Sequence, residues 1–203
     1  MDFRFSDVFF KVLEFSRDEA VRTGWHNIGA DHIMLAVLRH GDNDACRALE
    51  ALGVDLTAFK CHIDEAVFVD EAIPWEDRES VNLCDSARSM LQHAALEAAR
   101  CGDEVLEPLH FLLAVCRISG SYSHDYLDDC GVELRPLVEA AGIPWSRYGL
   151  TSRPSGIPKD SSVMPSGSEA SGSEASGPDP ALMAAAIEKR LREGYTTDNP
   201  NVS

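Results

Sequence analysis

The chain has 203 residues, 44% of them hydrophobic, which is enough to bury one sizeable core or two small ones and points to an ordinary globular protein, not a fibre. Its longest apolar stretches, Ile33 to Leu38 and Phe111 to Cys116, fall far short of the roughly 20 residues that cross a bilayer, so a membrane span is excluded. Thirty-four acidic against eighteen basic residues give a net charge of −16, a field that repels nucleic acid and anionic lipid and suits basic proteins or peptides.

The N-terminal residues Met1 to Asp7 lack the basic segment, apolar core and small-residue cleavage site of a secretory signal, so a cytoplasmic location is expected. From there, Val8, Val12, Phe15 and Val21 recur at helical spacing, and Gly24 is a natural stop. A second helix starts near Ala30-Asp31, where the acid favours a helix N-terminus, and runs through Ile33–Leu38 to Gly41 as the buried central element. Asp42 to Ala51 predicts a short third helix ended by Gly53, and Asp55 opens a fourth through Phe59 and Ile63. Phe68 to Glu79, with Ile73-Pro74-Trp75 and many acids, breaks the pattern and reads as a connector. The same helical plan then recurs from Asp85 to Ala141.

Past residue 150 the composition turns to Ser, Gly, Pro and Glu, with SGSEA repeated at 166 to 175; residues 151–178 are expected to be a flexible linker. Beyond it, Leu182, Met183, Ala186, Ile187 and Leu191 share one helical face, which predicts a short amphipathic helix over 179–194 before a disordered tail at 195–203. Such a helix is marginal alone in water and calls for a surface to dock on.

The two helical stretches are copies of one another. Val12 to Leu56 matches Met90 to Leu134 at a constant offset of 78 without a gap, with identities that include Leu13/Leu91, Glu19/Glu97, Arg22/Arg100, Gly24/Gly102, His32/His110, Arg39/Arg117, Leu49/Leu127 and Gly53/Gly131. Repeat one covers about 3–67, the connector 68–82 and repeat two about 83–145, within a domain at 1–150.

The recurring elements are Glu19, Ala20 and Gly24; Gly29-Ala30-Asp31-His32-Ile33-Met34-Leu35; and Leu49, Gly53 and Val54, which the second copy keeps as Glu97, Ala98, Gly102, His110, Leu112, Leu113, Leu127, Gly131 and Val132. Together they resemble the two repeats of the Clp N-terminal (Clp R) domain that precedes the AAA+ modules of ClpA- and ClpC-type unfoldases. The resemblance implies an all-α fold of two tandem four-helix repeats, eight helices related by a pseudo-twofold, and a role in docking substrate or adaptor proteins, with a Clp unfoldase as a further partner. No GxxxxGK[ST] phosphate loop occurs, so ATP binding and an unfolding motor are not expected, and no cofactor is implied.

Some ClpC-type domains are similar to phosphoarginine receptors that use a Thr at the start of each repeat and the Glu of a Gly-Thr-Glu-His turn. The matching positions of the first copy hold Ser6 and Asp31, which keep a hydroxyl and a carboxylate for phosphate and guanidinium; those of the second hold Cys84 and Leu109, which keep neither. Ligand binding is therefore expected at Ser6 and Asp31, against a structural alternative in which Ser6 caps its helix and Asp31 is an N-terminal helix residue.

The recurring His32 and His110 are read as packing residues with a backbone hydrogen bond, and Glu19 with Arg22 and Glu97 with Arg100 as helix-surface ion pairs. The six cysteines show no CxxC pair and the histidines no paired-ligand spacing, so reduced thiols and no metal are expected. The leading reading is a stand-alone protein-binding adaptor or regulator without catalysis. A self-assembling helical protein is one alternative; a small thiol enzyme using Cys61 or Cys101 is another, disfavoured because no nucleophile, base and orienting group stand together in a motif.

Overall fold

The computed structural model describes residues 4–70 and 73–149; the expected linker, C-terminal helix and tail over 151–203 lie outside the described residues. Strand β1 (Arg4–Phe5) leads into α1 (Asp7–Arg22), then β2 (Asn27–Ile28), α2 (Ala30–His40), α3 (Asp44–Ala51) and α4 (Leu56–Val67). After a 3-10 turn at Trp75–Ser80, the order recurs as β3 (Asn82–Leu83), α5 (Asp85–Cys101), β4 (Val105–Leu106), α6 (Pro108–Arg117), α7 (Tyr122–Asp129) and α8 (Leu134–Ala140), closed by a short α9 (Trp145–Gly149). Eight of these helices are the expected two sets of four; α9 is an addition with no counterpart among the described residues of the first copy. Among the described residues, no helix is long and apolar enough to cross a membrane.

Local chemistry sets the helix boundaries. Ser6 caps α1 by accepting from the Phe9 amide at 3.1 Å, Asn43 caps α3 through Cys46 at 3.0 Å, and Asp55 caps α4 through Thr57 and Ala58. The predicted stops are equally local: Gly53 and Gly131 close α3 and α7 at φ 78° and 68°, a left-handed turn that a side chain would strain.

The short strands, absent from the helical reading, show how the copies are joined. β1 pairs in parallel with β4, and β2 with β3, so the strand that opens each repeat is completed by the other repeat. The flanking hydrogen bonds follow the same symmetry: the Ser6 amide donates to Leu106 O at 3.1 Å and the Cys84 amide to Ile28 O at 3.0 Å. Helices cross the boundary too, α3 against α6 and α8, and α4 against α7. Phe9 meets Phe111 at 6.3 Å between ring centroids, and Phe59 stacks on Tyr126 at 4.6 Å, so one hydrophobic core runs through both repeats.

Candidate functional site

Strand exchange brings helix N-termini of both repeats together at two pseudo-symmetric junctions, and the sequence differences between copies make those junctions unlike. At the first, the starts of α1, α6 and α3 meet. The Ser6 hydroxyl donates to Glu107 Oε2 at 2.6 Å, and Asp44 Oδ1 accepts from the Leu109 amide at 3.0 Å and the Ala45 amide at 2.9 Å. Burial pushes the carboxyls of both Asp44 and Glu107 up, against the lowering effect of those hydrogen bonds. This junction is occupied by its own side chains.

At the second junction the starts of α5, α2 and α7 meet, and Gly29 stands where the first has Glu107. Asp31 Oδ1 accepts from the Ser123 amide at 2.9 Å and its hydroxyl at 2.6 Å, while Ser121 takes the His124 amide at 3.1 Å. Asp31 therefore caps a helix of the other repeat, α7, and not its own. With no side chain at Gly29 and small residues at Ala30, Ser86 and Ser89, a cavity of about 430 Å³ stays open. Val67, Met90 and Ile118 line its apolar wall, Cys84 and Asp31 its polar side, and Trp25 and Tyr122 stand at its edge, 45% and 48% exposed. The Trp25 indole donates to Val67 O at 2.5 Å, which holds the ring in place.

The structure does not bring Ser6 and Asp31 together. Ser6 lies at the closed junction with Glu107, whereas Asp31 shares the open one with Cys84, the second-copy residue that matches Ser6. The reason is the strand exchange: a repeat's opening segment pairs with the other repeat, so sequence-equivalent positions of one copy face different junctions.

His32 and His110 are buried, and Nδ1 of each accepts the backbone amide three residues back, Gly29 at 2.9 Å and Glu107 at 3.0 Å. An Nδ1 that accepts leaves the proton on Nε2, which faces Thr23 Oγ1 at 3.1 Å in one copy and Asp103 Oδ2 at 3.2 Å in the other. Burial, with the Arg22 guanidinium adding to it, brings His32 down to about 4. His110 is also lowered, burial outweighing the opposing pull of Asp103. Both are neutral structural imidazoles at pH 7.

The ion pairs read as helix-surface features are buried at their carboxylates. Glu19 is 2% exposed and accepts from Arg22 Nε at 2.8 Å and Arg39 Nη1 at 3.1 Å; Glu97 is 1% exposed and accepts from Arg117 Nε at 2.8 Å, from Arg100 and from the Tyr148 hydroxyl. The spacing of Glu and Arg is the same in either setting; the difference comes from Arg39 and Arg117, which α2 and α6 bring over the carboxylates.

Cys101, Asp103 and His110 also converge, their ligand atoms within 4.8 Å of one another. The cluster does not make a nucleophile, since Cys101 is 1% exposed and the His110 ring has both nitrogens engaged, Nδ1 by backbone and Nε2 by Asp103. A metal at Nε2 would have to displace the proton that the Glu107 bond places there, so the residues fit an ion poorly. None of the six cysteines is in a disulfide, and burial raises Cys46 and Cys116 to about 11.

Comparison with known proteins follows the same division of the chain. The Clp repeat (R) N-terminal domain matches over residues 4–130. "Chaperone protein ClpB" of Oceanobacillus iheyensis is 29% identical over 154 residues, covering 74% of this chain and 18% of that protein. "Negative regulator of genetic competence ClpC/MecB" of Bacillus subtilis is 28% identical over 131 residues, covering 64% of this chain and 16% of that protein. The chain thus spans less than a fifth of the length of these relatives. A solved chain described as "Peptide from EAEC T6SS Sci1 SciI protein" shares the fold at a TM-score of 0.50 and 17% identity, covering 73% of this chain and 87% of that one.

Proposed function

Because the chain belongs to the Clp repeat (R) N-terminal domain family, we propose that it is a protein-docking module, without chemistry of its own, that takes up a partner at the open junction between its repeats. The observation that carries this reading is the asymmetry of the two junctions: Glu107 and Ser6 close one, while Gly29 leaves about 430 Å³ open beside exposed Trp25 and Tyr122. A concave apolar site with a few fixed polar groups and aromatic edges is the common form of a docking hot spot. The acidic body, −14 over residues 1–150, favours a partner with basic character.

In the finer version of this reading the module acts in the cytoplasm as an adaptor or regulator of Clp-dependent protein quality control, competing with a Clp unfoldase for substrates or adaptors. Phosphoarginine is its sharpest ligand. Asp31 would meet the guanidinium and the Ser86 and Ser89 hydroxyls the phosphate, with Cys84, not Ser6, beside them.

Gly29→Gln tests the site. Gly29 has an extended backbone, φ −90° and ψ 173°, and a Cβ there would meet its nearest atom at 3.5 Å, so a longer side chain can enter the cavity without straining the chain. Partners captured by the immobilised wild-type chain are expected to be lost with Gly29→Gln at unchanged stability; equal capture by both would sink the docking reading. For the phosphoarginine version, calorimetry should show binding that Asp31→Asn abolishes, and binding indifferent to that change removes the ligand.

A further inference from the structure

We propose that the cleft takes a basic amphipathic helix of a partner protein, with large apolar side chains in the cavity and over its rim and lysine or arginine on the flanks. This occupant presupposes the reading of the cleft as a docking site and gives the chemistry of what docks there.

The cavity is too large for one side chain. A void of about 150 Å³ holds a benzene-sized group, so about 430 Å³ has room for two or three large side chains of a partner. The apolar surface also continues past the cavity. Val67 lines the wall, and the next two residues, Phe68 and Val69, are 59% and 38% exposed. The Val69 amide donates to Thr23 O at 3.0 Å and the Trp25 indole to Val67 O, which ties this segment to the turn that carries Trp25. Trp25, Phe68, Val69 and Tyr122 are four of the six large apolar side chains exposed among the described residues, and all four line the cavity or directly follow a residue that does. Single exposed apolar residues are ordinary, whereas a gathered set marks an interaction surface.

Charge selects the partner. Asp31 faces the cavity, no lysine or arginine is among the described residues that line it, and α7, which starts at its edge, carries Asp125, Asp128 and Asp129 with no lysine or arginine. From Cys61 to Asp77, the stretch that holds Phe68 and Val69, there are six acids and again no lysine or arginine; of these Asp64 is already paired with Arg22. A second copy of this chain brings the same acidic surface and is repelled, while a segment flanked by lysine or arginine is drawn in. The backbone selects the partner's conformation. Strands β2 and β3 are two residues long and paired with each other, so an extended peptide has almost no edge to join, whereas a helix projects anchors at i, i+3 or i+4 and i+7 from one face.

The probe is a fluorescent synthetic helix with leucine at i, i+3 and i+7 and lysine on the opposite face, titrated with the full chain by fluorescence anisotropy. Binding is expected, weakened about tenfold by Gly29→Gln and by the double variant Phe68→Ser, Val69→Ser, whose positions are exposed and whose fold is checked by circular dichroism. Three companion peptides carry glutamate for lysine, serine for leucine, or a central proline that breaks the helix, and each should bind about tenfold more weakly or not at all. Equal affinity for the lysine and glutamate peptides, or for the helical and proline-broken ones, overturns the proposal. So does an affinity that neither Gly29→Gln nor the rim variant changes, which marks adsorption to the acidic surface at large. If none of the peptides binds while Gly29→Gln still abolishes partner capture, the helical occupant falls and the docking reading stands. If the lysine peptide binds with the expected sensitivities but partner capture is indifferent to Gly29→Gln, the captured partners dock elsewhere and the docking reading falls alone.

Discussion

Acidification should destabilise this fold through His32, by an amount the structure allows to be worked out. The imidazole is buried, its Nδ1 takes the Gly29 amide and its pKa is brought down to about 4 from an ordinary 6.5. Between those values the unfolded chain binds a proton that the folded chain refuses, so stability rises with pH through this window and is lost as pH falls from 6.5 toward 4. Two and a half units correspond to about 3 kcal/mol at the acid end, of which about 2 kcal/mol has gone by pH 5 and almost none at pH 7. Other groups titrate over the same range, so the measurement is a difference. His32→Gln keeps an acceptor for the Gly29 amide, the role of Gln at the third helical position of a capping box, and removes the titration. Urea unfolding of both chains at pH 7, 6 and 5 should show wild type losing about 2 kcal/mol more than the variant between pH 7 and 5. A difference that stays flat across that range would mean that the folded state protonates His32 as readily as the unfolded one, and the assignment of Nδ1 as an obligatory acceptor would fail with it.

Glu97→Ala removes a carboxylate held by Arg100, Arg117 and Tyr148 and should cost about 3 kcal/mol in urea unfolding, with a similar loss for Glu19→Ala; a loss under about 1 kcal/mol would return both to the status of surface pairs. Phe59→Ala empties a site in the core shared with Tyr126 and should cost about 3–5 kcal/mol, lowering amide-exchange protection in both repeats together; protection lost from the first alone would refute a common core. Mass spectrometry after brief alkylation should find Cys61 and Cys130 modified first and Cys46, Cys101 and Cys116 last, following exposure and the raised pKa of Cys46 and Cys116; early loss of Cys101 would reopen a thiol-based activity.

Helices and repeat were legible in the sequence because their signals are local. Gly24, Gly41 and Gly53 mark ends, Asp55 and Ser6 supply caps, and one offset aligns the copies throughout. The two-residue strands carry no periodicity to detect, and their partners lie in the other repeat, so the exchange that builds the junctions was invisible. That omission explains why Ser6 and Asp31 were expected to act together. Burial of Glu19 and Glu97 also depends on Arg39 and Arg117, each twenty residues away on another helix. The cleft itself is a deletion of side-chain volume, Gly29 opposite Glu107 at the equivalent position, and becomes meaningful only once the junctions are known to be equivalent.

The exchanged strands also govern when this protein can fold. Residues 4 and 5 wait for 105 and 106, and 27 and 28 for 82 and 83, so a nascent chain that has exposed only its first repeat holds two unsatisfied edges and an uncovered Phe59. Cut at the connector, the first repeat alone would present those open edges and that apolar face to solvent, the features that invite pairing with another chain, so the two repeats form one unit of stability and not two.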